Sequence, residues 1–204
     1  MLTLRHLFLL PVFACLLIGM VSGIGVFQTH SVTNDLFSGK TNPVSKAEQL
    51  LAQARVKRPG VWIETANMLS SSGTRHDALA IELLTRALAV DPYHPDSWAL
   101  LSFLHTRSAG AFSPDAAAAL KTSFEICGYC GDDLIQWRFS FVLQHWENVS
   151  EELRMAAFSS ADFLRWWHLR YDYLNDVREQ AIARGIPFDE YRRKVGTHVR
   201  PNEV

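Results

Sequence analysis

Residues 86–98 read RALAVDPYHPDSW, and this stretch decides the fold. Its first part ends an apolar helical pattern on Ala87. Asp91-Pro92 then stops that helix, because proline lacks the amide hydrogen that would continue the ladder. Its last residue, Trp98, opens a second helical pattern. Working outward, the stretch is one joint of a repeat. Trp62 and Trp98, Ala80 and Ala116, and Ala87 and Ser123 each lie 36 residues apart. Trp62, Thr65, Ala66 and Leu69 share one helical face; Trp98, Leu101, Ser102 and His105 share another. A turn containing Gly73 or Gly110 follows each of these first helices. A second helix then carries Ala80, Leu84 and Ala87, or Ala116, Leu120 and Ser123.

The pattern continues in both directions. Ala47, Leu51, Ala54 and Pro59 copy the spacing of Ala80, Leu84, Ala87 and Pro92, and Asn42-Pro43 reads as a capped helix start. Downstream, residues 132–146 read as another first helix, with Leu134, Trp137, Phe141 and His145 at helical spacing. A short helix is expected from Ser150-Glu151-Glu152, then a longer one over 160–184 that stops at Gly185-Ile186-Pro187. That last helix carries Phe163, Trp166, Trp167, Tyr171, Leu174 and Val177, and reads as a cap closing the array. The sharper alternative is an exposed aromatic strip for a partner. Residues 186–204, with Arg192-Arg193-Lys194 and Arg200, read as a polar tail.

These residues resemble the tetratricopeptide repeat, in which a Trp and a small residue mark the first helix and Ala, a large apolar residue and Ala mark the second. The small residues let two helices approach closely. This chain departs from the pattern: its helix-to-helix turns are about two residues longer than usual, Thr65 stands where Leu is usual, His105 where Tyr is usual, and the second unit lacks its closing Pro. The resemblance implies an all-α, short helical-hairpin solenoid over 43–185. It also implies a non-catalytic scaffold or adaptor that binds protein partners in a groove lined by first helices. Aligned on the repeat, the groove residues would be Asn67, Ser70, Phe103, Thr106 and Arg107, with Phe139 beyond them. A looser resemblance over about 43–170, carried by Trp98, Arg138 and Trp146, is to small membrane-anchored repeat proteins of bacterial polysaccharide assembly.

Residues 7–27, LFLLPVFACLLIGMVSGIGVF, contain no charge in 21 positions. As a helix they would span about 30 Å, the thickness of a bilayer's hydrocarbon core. With Arg5 and His6 ahead of them, the expected topology is a single-pass plasma-membrane anchor over 1–27 with the body exported. Residues 28–42 form a polar linker. The rival is a secretory signal cleaved near Val21-Ser22-Gly23. Hydrophobic residues make up 48% of the chain, so a sizeable core can form. Its 20 basic and 21 acidic residues leave a formal charge of -1, which argues against a dedicated nucleic-acid binder.

Of three cysteines, Cys127 and Cys130 form a C-x-x-C motif. It reads as a structural disulfide or thiol pair in a turn, as two inert cysteines, or as a thiol-disulfide redox site, the alternative function for the chain. A redox pair normally sits at a helix N-terminus, where the dipole favours thiolate; here Cys127 follows a helix end. No second C-x-x-C or paired-His motif suggests a metal, no phosphate loop or nucleophile elbow occurs, and no cofactor is expected. The N-terminal reading is checked by intact mass after an alkaline carbonate wash of membranes. The expected result is a retained chain beginning at Met1; a washed-out species beginning near residue 24 marks cleavage instead.

Overall fold

The computed structural model describes residues 42–167 and 169–199; the anchor or signal expected at 1–27 and nearly all of the linker lie outside them. Among the described residues there are nine α-helices and two 3₁₀ turns and no strand, so the fold is all-α. No described helix is long and apolar enough to cross a membrane. The chain divides after Val90 into two compact units.

The first unit contains α1 (Pro43–Leu51), α2 (Pro59–Ser71), a 3₁₀ turn (Thr74–His76) and α3 (Asp77–Val90). Asn42 caps α1, its Oδ1 accepting from the Val44 amide at 2.8 Å. Proline stands at the first position of α1 and of α2, where its missing amide hydrogen costs nothing. The helix α1 stops at Leu51, before Ala54, so its buried pair is Ala47 and Leu50 rather than the copied Ala47, Leu51 and Ala54. Pro59 opens the next helix instead of closing this one. The helices α2 and α3 form a closely packed hairpin, with Trp62, Ala66 and Leu69 buried on one helix and Ala80, Leu84 and Ala87 on the other. Thr65 fits this interior because its hydroxyl donates to the Val61 carbonyl at 2.7 Å, which leaves its methyl to pack.

The second unit contains α4 (Pro95–Ala109), α5 (Pro114–Ile126), α6 (Asp132–Gln144), a 3₁₀ turn (Trp146–Asn148), α7 (Glu151–Trp167), α8 (Tyr171–Ala183) and α9 (Phe188–Val199). The helices α4 and α5 pair, as do α6 and α7, and α9 packs along α7. Gly110, left-handed at φ 71°, ends α4, and Ser113 caps α5 through the Ala116 amide at 3.2 Å. Small polar residues stitch the first hairpin: Ser102 Oγ donates to the Ala116 carbonyl at 2.8 Å, and Ser123 Oγ to the Pro95 carbonyl at 2.7 Å.

The C-terminal third differs from the sequence reading. One helix covers 151–167, and the long helix expected over 160–184 is broken: Leu169 turns left-handed at φ 52°, and the Arg170 amide donates to the Leu164 carbonyl at 3.2 Å. Neither Gly nor Pro marks this break. Contacts to α6 accompany it, with Arg170 Nε 3.1 Å from Asp132 and the Tyr173 hydroxyl donating to the Gln136 carbonyl at 2.9 Å. The end at Gly185 is a Schellman closure, with amides of Gly185 and Ile186 donating to the carbonyls of Ile182 and Ala181. Beyond it, α9 occupies most of the expected polar tail. Phe188, Tyr191 and Val195 are buried on one face, and the charged run Arg192-Arg193-Lys194 hid that spacing.

Arg138 of α6 lies at the centre of the second unit and is fully buried. Its Nη1 donates to the carbonyls of Ser123 (3.0 Å) and Cys127 (2.9 Å), and its Nη2 to that of Gly128 (3.0 Å). Its guanidinium lies 4.4 Å over the Phe124 ring. These carbonyls belong to the last turn of α5 and the loop beyond it, where the dipole favours a cation. Burial pushes its pKa down to about 10, so it remains charged at pH 7. Arg138→Ala would leave the Cys127 carbonyl without its donor, remove one bond each from the Ser123 and Gly128 carbonyls and open a cavity, a loss of about 3–5 kcal/mol. Denaturant unfolding checks this; a change under about 1 kcal/mol would remove Arg138 from its central place.

Candidate partner-binding groove

Within the second unit, α4 and α6 flank an open groove lined by Asp96, Leu100 and Phe103 on one side and Asp133, Leu134 and Trp137 on the other. Phe103 meets Trp137 edge-on at 6.4 Å. Trp137 stacks on Phe141 at 4.8 Å, Phe141 meets His145 at 4.8 Å, and Phe112 stacks on His145 at 5.8 Å. The result is a continuous aromatic strip whose Trp137 is 36% exposed. Arg107 lies 4.8 Å over the Phe103 ring, near the C-terminal end of α4. Asp96 and Asp133 lie in the first turns of α4 and α6, so the groove is acidic where these helices begin. The arrangement offers apolar faces for side chains and a pair of carboxylates for a cation. Among the described residues no cluster of His, Cys, Asp or Glu is arranged to hold a metal.

The residues expected to line the groove are distributed unevenly. Phe103 and Arg107 are half-buried and in contact. Thr106 is buried, its hydroxyl donating to the Ser102 carbonyl at 3.0 Å, so it presents no free donor to a partner. Asn67 and Ser70 lie half-buried on α2 of the first unit, the Ser70 hydroxyl donating to the Asn67 carbonyl at 2.7 Å. Phe139 is 1% exposed and faces the core, against Phe158 at 5.1 Å and Phe188 at 5.9 Å. A strict 36-residue copy maps Phe103 onto Phe139, yet the ring across the groove is Trp137. Leu134, Trp137, Phe141 and His145 are spaced on one face in the sequence, but nothing there says that this face stays open.

Cys127 and Cys130 are joined in a disulfide, with Cα atoms 5.5 Å apart, in the loop from α5 to α6. The loop is tied on several sides. Arg138 holds the Cys127 and Gly128 carbonyls, Ser160 Oγ donates to the Gly128 carbonyl at 2.8 Å, and the Tyr129 and Ser159 hydroxyls lie 3.1 Å apart. Cys127 caps the C-terminus of α5; Cys130 precedes the start of α6, whose first turn carries Asp132 and Asp133. Those carboxylates face the positive end of the helix dipole.

No protein-family model, curated protein or solved structure matches the chain.

His145 gives the strip a pH dependence. Burial, and then the charge of Arg184, hold its pKa below the usual histidine value. The unfolded chain therefore takes up a proton near pH 6.5 that the folded chain resists. The contribution is intact above about pH 6.5 and is lost as the pH falls below it. Thermal unfolding from pH 7.5 to 5.5 should show a steeper fall for wild type than for His145→Gln; equal slopes would contradict the assignment.

Proposed function

We propose that this chain is a non-catalytic scaffold or adaptor that binds a protein partner through the groove between α4 and α6. The supporting observation is the aromatic strip from Phe103 through Trp137 to His145, partly exposed and bordered by Asp96 and Asp133. Large rings that bury much area at little entropic cost, beside charges that set register, are what a binding surface uses. A partner segment with apolar side chains and a Lys or Arg that reaches the two carboxylates fits this pattern. Residues 7–27 would hold the body at a membrane on the exported side, beside cell-envelope partners such as those of exopolysaccharide assembly. The hairpin pairing of α2 with α3 and α4 with α5, with small residues between the helices, supports the tetratricopeptide-like reading.

Trp137→Ala in the full-length chain should weaken co-purification of the native partner by about tenfold or more, while Trp166→Ala, away from the groove, leaves it unchanged. Undiminished capture by Trp137→Ala and Phe103→Ala would defeat the groove assignment. The competing reading, thiol-disulfide exchange, draws on the exposure of Cys130. Alkylation of the reduced protein at graded pH separates the two. Labelling that follows an ordinary thiol pKa of about 8.5 is expected; labelling well below it would favour exchange chemistry.

A further inference from the structure

A second surface of the same unit lies among α7, α8 and α9. A narrow apolar cavity of about 40 Å3 opens there between Phe158, Leu174, Phe188 and Val195. A wider cleft of about 680 Å3 adjoins it, and Asp162, Arg165 and Arg192 border both. The carboxylates nearby are already engaged. Asp189 takes both of its bonds from Arg178, at 2.7 and 2.5 Å. Asp162 is 8% exposed and accepts from Trp166 Nε1 at 3.1 Å. Arg193 donates to the Asp189 carbonyl at 3.2 Å. Arg165 lies 5.2 Å over the Trp166 ring. Among the described residues neither Arg165 nor Arg192 makes a hydrogen bond or an ion pair, although both line one cleft. Burial, and then the charge of Arg165, hold the Arg192 guanidinium below its usual pKa against the opposing pull of Asp162 and Asp189, and an anion between the two arginines would relieve their repulsion.

We propose that this cleft binds a single-chain anionic amphiphile, with its phosphate or carboxylate head between Arg165 and Arg192 and its alkyl end in the apolar cavity. The charge follows from two guanidiniums that share a cleft and make no hydrogen bond or ion pair with the carboxylates of Asp162 and Asp189 that also line it; both match phosphate and carboxylate geometry. The slender tail follows from size. An enclosed apolar cavity of about 150 Å3 holds benzene; this one, at about 40 Å3, has room for the end of an alkyl chain. The exposed face of Trp166 lines the wall of the cleft along which such a chain would lie.

Isothermal titration calorimetry on the full-length chain in phosphatidylcholine nanodiscs, blanked with empty nanodiscs, tests the site. The ligands are hexyl phosphate, inorganic phosphate and hexyl glucoside. The expected result is one hexyl phosphate per chain, bound at least tenfold tighter than either of the others. Arg192→Gln and Arg165→Gln should each weaken it about tenfold with the thermal melt retained, and Arg107→Gln should change nothing. Equal affinity for hexyl glucoside would reduce the site to an apolar hole. Equal affinity for inorganic phosphate would remove the tail. No hexyl phosphate binding, or a response only to nanodiscs of anionic lipid, would overturn the proposal. The comparison of ligands on wild type decides the matter even if an arginine variant fails to fold.

Discussion

A buried guanidinium without a carboxylate has to be held by carbonyls, and in this protein the end of a helix supplies them. Arg138 takes carbonyls of Ser123, Cys127 and Gly128 at the end of α5 and in its following loop, where helical partners run out. The cation and the helix end correct each other's deficiency: one needs acceptors, the other needs donors and positive charge. Much of the second unit follows. The same contact ties α6 to the end of α5 and to the loop closed by the Cys127–Cys130 disulfide. It also presents the Gly128 carbonyl to Ser160 of α7. The C-x-x-C motif thereby acquires a structural reading: it clamps the loop that holds Arg138.

The hairpins use the same economy of polar groups. Thr65, Ser102, Thr106 and Ser123 occupy buried positions where apolar residues would pack without complication. Each hydroxyl finds a carbonyl, either in its own helix or across the hairpin. Small side chains with satisfied hydroxyls allow close helix approach, as alanine does, and the bonds made by Ser102 and Ser123 additionally fix the register of α4 against α5.

Two surfaces of opposite character result within the second unit. The groove between α4 and α6 is aromatic and acidic; the cleft between α7 and α9 is apolar at its base and basic at its rim. That pairing suits an adaptor, since a protein segment and a small anion would not compete for one site. α9 creates the second surface, and it does so by burying Phe188, Tyr191 and Val195 while leaving Arg192 and Arg193 along the cleft.

The sequence by itself determined the all-helical class, the joint at Asp91-Pro92, the turns at Gly73 and Gly110 and the stop at Gly185. Each is a local backbone preference written in residue type and spacing. It also pointed to Phe103 and Arg107, which the structure brings into contact. Tertiary structure decided the rest. Arg138 entered the sequence reading only through a loose resemblance, and its burial depends on carbonyls that α5 and the loop after it supply. Phe139 and Trp137 are equally apolar, and only the covering by α7 and α9 makes one core and the other groove. The break at Leu169 carries no local signal, and α9 was concealed by its own charges. Which face of a helix is covered depends on neighbours distant in sequence, and periodicity within one segment contains no information about them.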